Sequence, residues 1–135
     1  TCKYITRMLN KDSGLKGVSE LTSDMRPIEE NMETCEKSKR AMGVYLQRLT
    51  RLIGSHLAVL GGLDAIVFTG GAGEKSPIIR NHIAKKLSFL GITLDEEKNN
   101  SNTEGEITTE NSKVKMFVIP TDEELQMVRN VKKLQ

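Results

Sequence analysis

Three groups of residues in this chain have types and spacings that suit chemistry on an anion. The first is Gly70-Gly71-Ala72-Gly73-Glu74-Lys75-Ser76, directly after the apolar run Ala65-Ile66-Val67-Phe68-Thr69. Glycines lack a Cβ, so they permit positive φ and let a ligand approach the backbone closely. Ser76 before Pro77 reads as an N-cap followed by proline at the first helical position. A strand, a glycine turn and a helix start would together present unpaired amides to a phosphate, although a tight turn that binds nothing has the same spacing. The second group is Ser23-Asp24-Met25-Arg26. Asp24 is there either as a helix cap or as part of a site in which the flat guanidinium of Arg26 stacks on a base or bonds a sugar hydroxyl. The third is Asp122-Glu123-Glu124 after Pro120. Glu123 complements the dipole of a following helix or holds Mg²⁺ through retained water.

The glycine segment fits neither of the two best-known phosphate motifs. A Walker loop requires glycines where Thr69 and Glu74 stand, and the dinucleotide fingerprint requires a third glycine in place of Ser76. A different glycine loop is implied.

The elements that must position these groups follow from the periodicity. Tyr4 to Leu9 predicts a short helix, and Gly14 to Ser23 a loop. A helix is expected from about Arg26, with Ser23 or Asp24 as its cap. From Lys37 to Leu60, apolar residues recur at helical spacing until Gly61-Gly62. His56 on that helix has no second ligand at helical spacing and reads as a surface or packing residue. Ile79, Ile83, Leu87 and Leu90 give one face to a helix over Pro77–Phe89, stopped by Gly91, with His82 off that face and exposed. Ile92 to Leu94 allows a short strand. Asp95 to Ser112 is almost wholly polar and reads as an exposed loop without chemistry, with at most a brief strand near Ile107. Val114 to Ile119 is a second strand; Thr121 and Glu124 predict a capping box, and Leu125, Val128 and Val131 an inward stripe on the last helix. If the two strands are parallel neighbours, both turns leave the same carboxyl edge of the sheet, where open α/β sheets bind ligands.

Composition narrows the classes. A chain of 135 residues is one domain or part of a larger one. Its 20 basic and 18 acidic residues are spread along the chain, which argues against a nucleic-acid surface. No apolar run approaches the roughly 20 residues of a membrane span and no signal peptide opens the chain, so a cytoplasmic protein is expected. Cys2 and Cys35 lack metal-ligand spacing.

Three segments resemble the acetate kinases, in that family's order: Gly17-Val-Ser19 leading to Ser23-Asp24-Met25-Arg26, then Leu63 through Ser76, then Ile119-Pro-Thr-Asp-Glu-Glu-Leu125. Phe89 through Lys98 is similar as well. The resemblance implies an α/β fold, part of a ribonuclease H-like domain of the acetate and sugar kinase and actin superfamily, with a mostly parallel sheet flanked by helices. It implies a phosphotransferase that moves the γ-phosphoryl of ATP to acetate, giving acetyl phosphate and ADP, reversibly and with Mg²⁺. By motif position Asp24, Met25 and Arg26 would line the adenosine pocket. Gly71, Ala72, Gly73, Glu74 and Lys75 would form the nucleotide loop, and Glu123 would support the magnesium. Residues 1–135 would then be the carboxyl-terminal nucleotide-binding portion, with the acyl-site residues upstream of Thr1, no turnover expected of this portion alone, and a homodimer expected of the intact enzyme. Three positions depart from the family's habit. Lys75 stands where asparagine is usual, Ala72 where a larger aliphatic residue is usual, and Asp122 where asparagine is common. Two other readings are open: a non-catalytic dimerisation or interaction module, and a propionate or butyrate kinase.

Overall fold

The computed structural model describes residues 1–101 and 104–133, and these form two compact units, Thr1–Gly61 and a second from Gly62 onward. The first unit is all helical. Helix α1 (Cys2–Arg7) runs straight into a π-helical turn over Met8–Asp12, and extended Ser13 ends it. Helix α2 (Gly14–Ser19) occupies most of the segment expected to be a loop. What makes this possible is Gly14, which takes φ +61° and reverses the chain so that a new helix can start. The buried hydroxyl of Ser19 then closes the turn by accepting from the amides of Leu21 (3.1 Å) and Thr22 (3.3 Å).

Helix α3 (Met25–Glu30) starts where expected, with Asp24 Oδ1 accepting from the Arg26 amide at 3.0 Å. Helix α4 (Glu36–Leu60) is the longest element, and Gly61 at φ +70° ends it by donating to the Leu57 carbonyl. Helices α2 and α3 pack on α4, burying Ile28, Ala41, Met42 and Leu46. His56 is exposed on α4, in keeping with a surface role.

The second unit carries the sheet. Strand β1 (Ala65–Phe68) is followed by α5 (Gly70–Lys75), then α6 (Pro77–Lys86), a 3₁₀ turn at Ser88–Leu90, α7 (Glu96–Ser101), β2 (Gly105–Glu106), β3 (Lys115–Val118) and α8 (Glu123–Lys132). The sheet order is β1-β3-β2, with β3 in the middle and β1 at one margin. β1 and β3 run parallel, with Ala65 opposite Lys115 and Phe68 opposite Val118, whereas β2 is antiparallel to β3. Met116 and Val118 point to one face, as a period of two requires, and join Phe68, Ile79, Ile83, Leu87, Ile92 and Ile107 in the core. The fold is mixed α/β with a small sheet.

Several expectations change here. The helix after Ser76 stops at Lys86 and only the 3₁₀ turn reaches Leu90, with Gly91 at φ +81° as the terminator. His82 is half-buried and its Nε2 is shielded without a partner, so burial, more than nearby Lys86, holds the imidazole below its ordinary pKa. Ile92–Leu94 contributes only a single bridge, Leu94 to Thr108. The polar stretch 95–112 is not an exposed loop: it folds into α7 and β2 and buries Asn99, Ile107, Thr108 and Ser112. Asn102 and Thr103, part of that expectation, lie outside the described residues. The stripe Leu125, Val128 and Val131 is exposed rather than inward, because no described element of the unit covers α8. Among the described residues no helix is long and apolar enough to cross a membrane.

Candidate functional site

The parallel pairing of β1 and β3 brings their carboxyl ends side by side, and the Ile119 amide donates to the Phe68 carbonyl at 2.9 Å as the ladder's last rung. Beyond that rung both chains turn. After extended Thr69, the β1 chain passes through Gly70 at φ +70°, the only loop glycine with positive φ, and immediately begins α5. Gly71 and Gly73 instead take helical geometry. Gly73 lies close against its own strand, since a Cβ there would stand 3.4 Å from Phe68, at the near limit of ordinary contact. The glycine segment is thus a short helical turn packed against the end of its own strand.

One side chain ties the two turns together. Glu74 Oε1 accepts from the Gly70 amide at 2.7 Å, from the Thr121 amide at 2.9 Å and from the Thr121 hydroxyl at 3.3 Å. The Thr121 amide most of all, helped by Gly70, keeps the Glu74 carboxyl below the usual carboxylate range despite the opposing effect of desolvation. The Gly70 amide, in the turn that a sequence reading offers to a phosphate, is therefore already occupied by an internal carboxylate.

The back of the loop is fixed by Arg80, fully buried on α6. Its Nη1 donates to the carbonyls of Gly73 (2.9 Å) and Glu74 (2.7 Å), its Nε to Asn99 Oδ1 (2.8 Å) and its Nη2 to the Asn99 carbonyl (2.6 Å). Asn99 Nδ2 in turn donates to the Pro77 carbonyl at 3.1 Å. A cation at the end of α5 meets the carbonyls that a helix terminus leaves unpaired. Ser76 caps α6 as expected, accepting from the Ile79 amide at 3.2 Å. Lys75 is exposed beside Glu74 in the last turn of α5.

Sequence reasoning missed Arg80 and Asn99. A signal existed for Arg80, which sits three and four residues before Ile83 and Ala84 and hence on the apolar face of its helix. Asn99 gave none, being one of many polar residues in its segment.

Around Glu123 the expected capping box is replaced. Asp122 is the cap, its Oδ1 accepting from the Leu125 amide at 2.8 Å, while Thr121 is drawn to Glu74. Asparagine and aspartate cap helices about equally well, so either residue at 122 serves this turn. Glu123, in the first turn of α8, is exposed and makes no hydrogen bond or ion pair with the described residues. Among these residues no group of three or more His, Cys, Asp or Glu side chains converges on a metal position. Glu123 is thus an exposed carboxylate outside any such group, and magnesium is an ion that commonly takes few protein carboxylates and keeps several waters.

In the first unit, Arg26 clasps Asp24 in a bidentate pair, with Nη2 to Oδ2 at 2.6 Å and Nε to Oδ1 at 3.1 Å. The Arg26 side chain, foremost, lowers the Asp24 pKa, and Asp24 raises that of the guanidinium. The pair fixes the direction of Arg26, which is otherwise 81% exposed, so one face of its plane is open to a flat ligand. Met25, the first residue of α3, is half-buried beside it.

Comparison with known proteins adds an independent line. The sequence model of the Acetokinase family matches residues 1–129. Acetate kinase 1 of Lactococcus lactis is 49% identical over 131 residues, which is 97% of this chain and 33% of that protein. The acetate kinase of Clostridium kluyveri is 48% identical, over 95% of this chain and 32% of its own length. Among solved structures, acetate kinase from Entamoeba histolytica superposes with a TM-score of 0.89 at 38% identity, covering 97% of this chain and 36% of that one. A propionate kinase from Francisella tularensis reaches 0.80, also at 38% identity, covering 94% and 33%. The chain thus spans about a third of the length of the curated relatives it matches.

Proposed function

Since this chain belongs to the acetokinase family, we propose that it is the carboxyl-terminal nucleotide-binding portion of an acetate kinase, with a ribonuclease H-like core. In this reading the intact enzyme moves the γ-phosphoryl of ATP to acetate, reversibly, with Mg²⁺. It works as a homodimer in the cytoplasm, and the present portion alone does not turn over. The observation that supports it best is the shared edge where the turns after β1 and β3 are joined through Glu74.

The roles follow the chemistry of phosphoryl transfer, which is chiefly positioning and neutralisation of charge. Asp24, Met25 and Arg26 hold the adenosine, the arginine offering its plane to the base or its donors to the ribose. Gly71, Ala72 and Gly73 let the nucleotide approach the loop backbone, Lys75 adds a mobile positive charge, and Glu74 keeps the loop in shape. Glu123 would hold Mg²⁺, which when bound would supply neutralising charge to the phosphates. Arg80 fixes the carbonyl side of the loop from behind.

Titration calorimetry with ADP and Mg²⁺ tests the reading, followed by acyl phosphate formation from acetate and ATP in the protein at its full natural length. Saturable heat and acetyl phosphate are expected. Absence of binding at millimolar ADP, with no thermal stabilisation, overturns it.

The 38% identity to a propionate kinase, equal to that with an acetate kinase, leaves open a second reading in which propionate is the acceptor. Ranking kcat/KM for acetate, propionate and butyrate decides between them. The exposed apolar stripe of α8 keeps the interaction-module reading in play, and sedimentation that ignores ADP would be its signature.

A further inference from the structure

We infer that Glu74 is a positioning residue: a single carboxylate oxygen that sets the separation between the turn after β1 and the turn after β3, and so couples the nucleotide loop to the residue that holds magnesium. This rests on the function proposed above and assigns Glu74 a role within it that does not require contact with the ligand.

Three observations carry it. First, the donors to Oε1 come from both turns, Gly70 on one side and Thr121 on the other, with Glu74 and Thr121 47 positions apart in the chain. Second, the main chain of Glu74 is anchored from behind, because Arg80 Nη1 donates to its carbonyl at 2.7 Å. The side chain thus projects from a fixed base, and its reach defines the spacing. Third, Thr121 is two residues before Glu123, with Asp122 locked between them as the cap of α8. A displacement of the Thr121 amide is therefore passed on to the first turn of α8. Beyond the final ladder bond from Ile119 to Phe68, the bonds through Glu74 join these two turns directly.

The role depends on an acceptor oxygen at the right distance rather than on negative charge. Glutamine keeps both reach and acceptor, aspartate keeps the charge but is one methylene short, and alanine keeps neither. In the protein at its full natural length, ADP affinity is measured by calorimetry with Mg²⁺ and again in EDTA, alongside melting temperature and the KM for the carboxylic acid. Loss of the three hydrogen bonds to Oε1 makes a drop in Mg-ADP affinity of about tenfold the expectation for Glu74→Ala. The KM for the acid should stay within about twofold. Glu74→Gln should retain affinity within about threefold, and Glu74→Asp should resemble alanine. Because the coupling runs to the magnesium side, the gain in affinity that Mg²⁺ gives over EDTA should shrink in Glu74→Ala.

Normal Mg-ADP affinity in Glu74→Ala, with only the melting temperature lowered, overturns the inference, as does Glu74→Asp outperforming Glu74→Gln. Should the alanine variant not fold, the ranking of Gln against Asp decides alone. A wild-type protein that binds no ADP overturns the proposed function itself, a result distinguishable from a variant-specific outcome.

Discussion

Replacing Arg80 by methionine is the sharpest test of how the glycine loop is supported. Methionine keeps much of the side-chain length, so little cavity opens, but it removes every donor. The oxygens that then lose their guanidinium partner include the carbonyls of Gly73, Glu74 and Asn99, and Asn99 Oδ1. A buried acceptor left unsatisfied costs about 1–3 kcal/mol, and bonds to charged donors lie at the upper end. The two oxygens of Asn99 are fully enclosed, whereas those of Gly73 and Glu74 are only partly so and water can reach them. Counting mainly the enclosed pair, and allowing for the desolvation of the cation that is no longer incurred, the loss should be about 3–5 kcal/mol. That is a large fraction of the roughly 5–15 kcal/mol that stabilises a typical domain. Lysine at this position has three donors on one nitrogen and cannot span both the loop carbonyls and Asn99, so about 2 kcal/mol is expected of Arg80→Lys. Urea denaturation of both variants, with Asn99→Ala and the double variants as a cycle, measures the effect. A loss below about 1 kcal/mol for Arg80→Met, or strict additivity with Asn99→Ala, would refute the claim that this network holds the loop.

Other perturbations bear on the remaining parts. Ser76→Ala removes the oxygen that receives the Ile79 amide and should cost about 1 kcal/mol in the same denaturation assay. Asp24 is held below its ordinary pKa of 3.8, foremost by Arg26. A depressed carboxylate pKa stabilises the fold fully above the unfolded value and loses that contribution as pH falls through the folded one. The stability gap between wild type and Asp24→Asn should therefore be present at about pH 6 and close below about pH 4, which melting curves across that range would show. Glu123→Gln should raise the Mg²⁺ concentration for half-maximal ADP binding by several-fold while leaving the melting temperature without ligand nearly unchanged, since the Glu123 side chain is exposed.

The elements legible in the sequence are those whose causes are local. β1 and β3 are short apolar runs between breakers, α4 and α6 carry helical periodicity, and Asp24, Ser76, Gly61 and Gly91 act on residues within one turn of themselves. The parallel pairing followed from the crossover between two such strands. What escaped is determined across distance. Asn99 is buried because Arg80, 19 residues away, needs its oxygens. Thr121 abandons the cap because Glu74 claims its amide and hydroxyl, and Asp122 takes over. Helix α2 escaped for another reason: Gly14 and Gly17 look like breakers, yet Gly14 supplies the positive φ before the helix and Gly17 relieves a contact with the Asp12 carbonyl, 3.2 Å from where a Cβ would sit. Within the candidate site, the glycine turn after β1 and the Ser76 cap were legible, but the inward direction of the Glu74 carboxylate was not, because it exists only once β1 and β3 are paired.

The position of β1 at the margin of the sheet has a practical side. One flank of Ala65–Phe68 is bonded to β3, and the other meets no strand among the described residues. Bare backbone along a margin of this kind is a template on which foreign strands can dock, and with Val67 about half exposed (51%) there is apolar surface to reward the docking. Four residues give a weak template, but a concentrated solution offers many copies of it. Precipitation by strand stacking, rather than thermal melting, is thus the first failure to guard against when this polypeptide is purified by itself.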